Sequence, residues 1–116
     1  MQNGMMQAAR AYAASSAHRS LRAQEAEVFR HANAALRHGQ HSGSQARVRA
    51  LADNARLWTA VIALMRDPAN ALPEPLRAAI VSVGLAVQRE MQGAAPDFDF
   101  LIGVHDDIAA GLAQQG

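Results

Sequence analysis

Few side chains in this sequence could do chemistry, and the cluster most like an active site is His105-Asp106-Asp107. A metal site needs three or four ligands that converge on one point. Neighbouring residues on a helix point in different directions, so His105 falls on an apolar stripe while Asp106 and Asp107 point elsewhere. We therefore predict no metal site, and we expect His105 at the edge of a helical core, hydrogen-bonded to a neighbouring helix.

The remaining polar candidates lack the partners that catalysis requires. His38 and His41 lie in a short stretch rich in glycine and serine, without acidic or cysteine neighbours. Ser15, Ser16 and His18 lack both a third triad member and an oxyanion turn. The sequence contains no cysteine, which excludes thiolate zinc ligands and disulfides, and it has no glycine-rich phosphate loop. We predict a protein that is not an enzyme and that uses no cofactor.

Length and composition favour a single domain over residues 1–116. Half of the residues are hydrophobic but only 4% are aromatic, a profile that suits helices packed through small side chains. The N-terminus lacks a signal-peptide pattern, and no window approaches the ~20 apolar residues of a membrane-spanning helix. Together with the absence of cysteine, these features predict a cytoplasmic protein without membrane insertion.

Apolar residues recur at helical spacing in five stretches, which predicts a small antiparallel all-α bundle. Its four main helices are expected at about 20–38, 45–66, 73–92 and 97–114. A short, loosely docked helix within residues 1–18 is expected to precede them, with a break at Ser15, Ser16 and Ser20. The polar residues 39–44 are expected to form a flexible, exposed loop.

The helix expected at 45–66 carries two apolar rows, so we predict that it is wedged between neighbours. Its heptad-type seam consists of Val48, Leu51, Ala55, Trp58, Ile62 and Met65. The second row consists of Leu57, Val61 and Leu64. The apolar face of the preceding helix consists of Leu21, Val28, Phe29, Ala32, Ala35 and Leu36. In the following helix, Gly84 predicts a close helix crossing, because a glycine there costs up to ~1 kcal/mol relative to alanine.

Trp58 has two interpretations. Tryptophan is enriched at the centre of protein interfaces, and it is also a common core anchor. Its seam position favours the core. After this helix, Asp67-Pro68-Ala69-Asn70 predicts a turn, and Pro73 is expected as the first residue of the next helix.

All eleven basic residues are arginine, and the net charge is +1. Codon bias is the simpler explanation for the absence of lysine. The alternative is contact with RNA, for which Arg47, Arg49, Arg56 and Arg89 are the candidates. Acidic residues are interspersed with them, so the signal is weak, and phosphate contacts would make such binding strongly dependent on salt.

The segment RLWTAVIALMRDPANALPEPLRAAIVSVGLAVQRE, residues 56–90, resembles the signature of the FlaF family of flagellar biosynthesis regulators of alphaproteobacteria. The order LW, DP, N, LP, LRA, SxG is similar to that family's pattern. The C-terminal LIGVHDDIAAGL resembles the family's closing helix, although His105 stands where isoleucine is typical. The N-terminal MQNGMMQAARAYA and LRAQEAEVF fit more loosely, so the resemblance spans nearly the whole chain.

The resemblance implies a cytoplasmic accessory protein for flagellin production and export, with no enzymatic activity. Members of that family are tied to flagellin secretion in a chaperone-like role. They are also tied to the control of flagellin synthesis beside the translational regulator FlbT. The all-α, non-catalytic character predicted from the residues agrees with this class, but the residues alone do not point to flagellin.

We therefore expect a helical protein that binds flagellin through helix-in-groove contacts, with FlbT as a further partner. The expected binding residues, on the hairpin formed by the third and fourth main segments, are Leu57, Trp58, Val61, Leu72, Pro73, Leu76 and Arg77. The alternative is an RNA-associated regulator that contacts flagellin mRNA together with FlbT. A homodimerisation module is the third candidate.

Overall fold

The computed structural model describes the backbone of residues 2–114 and the side chains of residues 4–10 and 22–114. The backbone forms α1 Gln2–His41, α2 Ser44–Arg66, α3 Glu74–Gln92 and α4 Phe98–Ala113. No strand occurs within residues 2–114. The predicted all-α bundle is confirmed.

The N-terminal part differs from the prediction of two separate helices, because α1 runs without a break through Ser15, Ser16 and Ser20. Serine costs less than ~1 kcal/mol in a helix interior, and the alanine-rich flanks favour helix, so these residues do not end it. The predicted loop at 39–44 is also shorter, since α1 continues to His41 and only Ser42 and Gly43 join it to α2. Gly43 has a φ of +98°, which glycine adopts without strain.

The first half of α1 extends beyond the bundle. A helix of 40 residues is ~60 Å long, which accounts for most of the 65 Å long dimension of the molecule. Residues 4–10 are all exposed, and the first buried side chain among those described is Arg22. The predicted apolar position Leu21 lies outside the described side chains.

The buried face of α1 matches the predicted apolar face only in part, since Phe29 and Leu36 are buried as predicted but Val28 and Ala35 are exposed. The buried face consists, among the described residues, of Arg22, Ala26, Phe29, Asn33, Leu36 and Gly39. Val28, which we placed on the apolar face, is 50% exposed. Asn33 is buried because its Nδ2 donates to the Ile102 carbonyl at 3.1 Å and to Asp106 Oδ1 at 2.8 Å. The neighbouring helix therefore satisfies the amide nitrogen of this core residue, while its Oδ1 is buried without a hydrogen-bond partner among the described residues.

Helix α2 lies between neighbouring helices as predicted, but its buried residues are only partly those of the predicted heptad seam. Trp58, Ile62 and Met65 are buried, whereas Val48 is 67% exposed and Ala55 is exposed. The buried side of α2 is completed by Ala50, Asn54 and Val61. α2 packs against α1 on one side and α3 on the other, and α1 also packs against α4. The side chains of α2 and α4 meet in the centre of the bundle.

Two glycines permit the closest helix contacts. A Cβ on Gly84 of α3 would lie 2.9 Å from both Ile62 Cγ1 and Trp58 Cε3, which confirms the predicted close crossing. A Cβ on Gly39 of α1 would lie 2.6 Å from the Ala50 Cβ of α2. These contacts hold α2 tightly against both neighbours.

We expect Gly84→Ala to lower the free energy of unfolding by about 1–3 kcal/mol, because the added methyl overpacks the contact with α2. The matched control is Gly103→Ala in α4, where an added Cβ meets no atom within 4 Å. This control should gain about 0.5–1 kcal/mol from helix propensity. Urea denaturation followed by circular dichroism measures both values, and a stabilised Gly84→Ala variant would contradict the tight crossing.

Candidate protein-binding groove

An aromatic cluster fills the centre of the bundle, where three helices meet. The Trp58 Nε1–H of α2 donates to His105 Nε2 of α4 at 2.9 Å, and both residues are fully buried. The Phe29 ring of α1 lies 5.7 Å from the Trp58 ring and 5.5 Å from the His105 ring, centroid to centroid. The predicted interhelical hydrogen bond of His105 is confirmed, but this histidine lies in the middle of the core and not at its edge.

This environment keeps the imidazole neutral. Burial lowers the pKa of His105 from 6.5 to about 4, and the nearby Asp106 carboxylate offsets only part of that effect. Because Nε2 accepts the hydrogen bond from the Trp58 Nε1–H, the neutral ring carries its own proton on Nδ1. The histidine therefore acts as a hydrogen-bonded core residue at neutral pH.

The three consecutive polar residues of α4 do not converge on a common point. Asp106 accepts from Asn33 and lies 3.8 Å from Arg37 Nη2, while Asp107 is exposed. Within the described residues, no group of three or more histidine, cysteine, aspartate or glutamate side chains is arranged to hold a metal ion. His38 is exposed and lies 3.2 Å from the Ser42 hydroxyl.

The seven residues expected to bind a partner do not form one exposed surface. Trp58, Val61 and Leu72 are buried, with exposed fractions of 0%, 7% and 5%. Trp58 and Val61 are buried because α2 is covered from several sides, so its strongest apolar positions are used within the bundle. Leu57 and Leu76 are half-buried and Pro73 is exposed; binding by these residues stays a prediction.

The Arg77 side chain links the end of α2 to the turn between α2 and α3. Its Nη1 donates to the Met65 carbonyl at 3.2 Å, and its Nε donates to the Leu72 carbonyl at 3.0 Å. These bonds satisfy carbonyls at the end of α2 and in the turn. A partner that used Arg77 would have to replace them.

An apolar groove does exist, but it lies between α1 and α2 on the other side of the predicted hairpin. A cavity of about 170 Å³ at one end is lined by Glu25, Val28, Phe29, Leu57, Ala60, Val61, Leu64, Met65, Asn70 and Leu112. A second cavity of about 220 Å³ continues from it and is lined by Val28, His31, Ala32, Ala35, Leu36, Ala50, Asp53, Asn54 and Leu57. We call this continuous surface the α1–α2 groove.

The groove retains two of the predicted binding residues and adds two that sequence reasoning assigned to the interior. Leu57 and Val61 line it, as do Val28 and Leu64, which are 50% and 57% exposed. The second apolar row of α2 was the sequence feature that could have indicated this groove, since a single neighbouring helix cannot cover both rows. Val48 and Leu85, also exposed, do not line this groove.

Of the four arginines considered for RNA contact, two are engaged within the protein. The guanidinium of Arg47 lies 4.4 Å from the centroid of the Phe98 ring and within 3.5 Å of the Pro96 carbonyl. Arg56 forms an ion pair with Asp53 on the same helix. Arg49 and Arg89 are exposed.

Comparison with known proteins connects this bundle to flagella. Among the helices described, none combines the length and the apolar character needed to cross a bilayer. No curated protein and no solved structure gives a significant match. The model of the family described as flagellar protein FlaF matches residues 8–112, which include all of α2 and α3, most of α1 and most of α4. The chain therefore belongs to the FlaF family of flagellar proteins.

Proposed function

We propose that this flagellar protein binds flagellin in a chaperone-like manner and supports its synthesis and secretion. The proposal rests on the α1–α2 groove, where apolar side chains that one more helix could cover remain exposed. Flagellin termini form helices that stay unassembled before export, and such helices need an apolar partner surface. An amphipathic helix laid in a hydrophobic groove is the corresponding mode of recognition. The protein acts by binding and not by catalysis.

The apolar floor and half-exposed apolar walls of the groove support the binding of a helix. Its floor contains side chains of the core, including Phe29 and Met65. Its walls carry Val28 from α1 and Leu64 from α2, each about half exposed. Burying a fully exposed side chain of this kind contributes about 1.5–3 kcal/mol. Because Val28 and Leu64 are already about half buried, covering the rest of each contributes roughly half of that.

The test compares apolar-to-acidic changes inside and outside the groove. Val28→Asp and Leu64→Asp should each weaken the binding of purified monomeric flagellin by tenfold or more, because an aspartate in the groove loses apolar contact and must be desolvated. Isothermal titration calorimetry measures the affinity. Both positions are half exposed in the free protein, so the fold should tolerate the changes, and circular dichroism checks this.

Val48→Asp and Leu85→Asp provide the matched controls, since they make the same substitutions at exposed positions outside the groove. We expect them to bind flagellin within about twofold of the wild-type affinity, as surface substitutions away from a site usually have small effects. Equal losses in groove and control variants would exclude the groove. A wild-type protein that does not bind flagellin would exclude direct chaperoning.

The alternative function, contact with flagellin mRNA beside a FlbT-type regulator, has weaker support. It requires a set of free cationic side chains on one face. The contacts of Arg47 with Phe98 and of Arg56 with Asp53 use two of its four candidates. FlbT remains a proposed partner, for which the groove offers the same apolar surface.

A further inference from the structure

Asn54 is a buried polar residue in the lining of the α1–α2 groove. Only 3% of the residue is exposed, and it lines the second cavity of the groove together with Ala50, Asp53 and Leu57 of the same helix. Its Nδ2 donates to Met91 Sδ of α3 at 3.1 Å. Its Oδ1 is buried and has no hydrogen-bond partner among the described residues. A buried acceptor without a donor costs free energy, so its presence at this site calls for an explanation.

The other polar side chains that line the two cavities differ from Asn54 in this respect. Both ends of the Asn70 carboxamide are used, because Nδ2 donates to the Leu64 carbonyl at 3.0 Å and Oδ1 accepts from the Leu72 N–H at 2.9 Å. The two acidic residues of the lining form ion pairs within their own helices, and its one histidine is exposed to solvent. Asn54 is therefore the buried polar residue of the groove lining that keeps an unused hydrogen-bonding atom.

The carboxamide of Asn54 turns its oxygen away from α3. The oxygen and the nitrogen of a carboxamide occupy opposite edges of one plane, and the nitrogen edge faces Met91. The oxygen edge consequently points away from α3, and the other neighbour of α2 is α1. A thioether sulfur is a weak acceptor, so little free energy is needed to release the nitrogen edge from α3.

We propose that Asn54 sets the register of the helix bound in the groove, by turning towards the cavity and forming a hydrogen bond with one polar side chain on the apolar face of that helix. The register role rests on the proposed function, because it requires a flagellin helix in the groove. In the free protein the oxygen is covered, so a change of side-chain rotamer brings it to the bound helix. Binding then satisfies an acceptor that the free protein leaves unpaired.

The surroundings of Asn54 define the residue that it selects on the partner. The lining of this cavity is mostly apolar, with Leu36, Ala50 and Leu57 among its residues, so a lysine or arginine buried there without a counter-ion would be unfavourable. A hydroxyl or a carboxamide can both donate to the oxygen of Asn54 and accept from its nitrogen. We therefore expect serine, threonine, asparagine or glutamine at one position within the apolar face of the flagellin helix.

Packing alone would favour an apolar residue at position 54. It lies one turn from Ala50 and from Trp58 on the buried side of α2, where the rest of the side is mostly apolar. A single buried asparagine in a coiled coil has the effect proposed here, since it specifies register and partner while it lowers stability. The unpaired oxygen of Asn54 is the corresponding loss of stability in this bundle.

The first experiment replaces Asn54 with leucine, which has nearly the same size and no hydrogen-bonding group. We expect Asn54→Leu to bind purified monomeric flagellin about tenfold more weakly in isothermal titration calorimetry, because the donor on the partner is left unpaired. Its urea midpoint should equal or exceed that of the wild type, because the unpaired oxygen is removed. Thr59→Val is the matched control, since it removes a hydroxyl from an exposed position of the same helix outside the groove. This control should bind within about twofold of the wild-type affinity.

The second experiment is a double-mutant cycle that identifies the residue on the partner. Each serine, threonine, asparagine and glutamine on the apolar faces of the terminal flagellin helices is replaced in turn by alanine, and each flagellin variant is titrated into the wild type and into Asn54→Leu. One replacement should weaken binding to the wild type by about fivefold or more without weakening binding to Asn54→Leu. A purely structural role of Asn54 would give no such coupling to one position on flagellin.

The results distinguish failure of the register role from failure of the proposed function. If the wild type binds flagellin, Val28→Asp binds weakly and Asn54→Leu binds like the wild type, the register role is overturned while the groove remains the binding site. A cycle without a coupled position, or a urea midpoint of Asn54→Leu below that of the wild type, overturns the register role as well. A wild-type protein that does not bind flagellin overturns both proposals.

Discussion

Trp58→Ala should lower the free energy of unfolding by about 3–5 kcal/mol, the range expected when a fully buried large aromatic residue is truncated. The Trp58 side chain has no exposed area, and its ring contacts Phe29 and His105. Its removal leaves a cavity at the point where three helices meet. It also leaves His105 Nε2 buried without the donor that satisfies it.

Chemical denaturation followed by far-UV circular dichroism measures the loss in free energy of unfolding. In thermal unfolding the same loss should appear as a drop of roughly 10–20 °C in melting temperature. Trp58→Phe keeps a six-membered aromatic ring but removes the N–H together with part of the indole, so it leaves a smaller cavity than Trp58→Ala. We expect an intermediate cost of about 1–3 kcal/mol for the phenylalanine variant. If Trp58→Ala cost less than about 1 kcal/mol, Trp58 could not be the central core residue, and a role at an exposed surface would have to be reconsidered.

Acidification from pH 7 to pH 5 should destabilise the protein by about 2 kcal/mol through His105 alone. The pKa of His105 is about 4 in the folded state and 6.5 in the unfolded state, so between these values the unfolded chain binds more protons. Stability then falls as pH falls, by about 1.4 kcal/mol per unit. The contribution of this histidine is complete above pH 6.5 and is lost progressively towards pH 4.

Urea midpoints measured at pH 7, 6 and 5 give the slope directly, above the range where carboxylates titrate most strongly. His105→Gln is the matched control, since a glutamine oxygen can accept the Trp58 N–H but does not titrate. This variant should show a much flatter dependence on pH over the same interval. A slope identical to that of the wild type would show that another group controls the acid sensitivity.

Several features of the interior followed from local rules. Gly84 predicted a close helix crossing, because a glycine in the middle of an apolar helix is otherwise unfavourable. In the structure it packs against Trp58 and Ile62. His105 fell on an apolar stripe, and it is buried with the predicted hydrogen bond to another helix. Each conclusion depended only on helical periodicity and on the chemistry of one residue type.

The length of α1 and the surface of the protein did not follow from such rules. Serines at positions 15, 16 and 20 suggested a break, but their propensity is too weak to end a helix by itself. Val28 was expected in the core and Asn33 was not, yet Asn33 is buried and Val28 is half exposed. The partners of Asn33 are on α4, far along the chain, where no local pattern could reveal them.

The sequence by itself determined the helical class, the family and the residue types available for the core, because apolar periodicity and motif order depend only on the order of residues along the chain. The tertiary structure alone decided which apolar rows are covered and which remain open. Coverage depends on how many neighbours reach a helix and how closely they approach, and only the packed bundle sets those distances. For that reason the α1–α2 groove, lined by Val28, Leu57 and Leu64, became visible only in three dimensions.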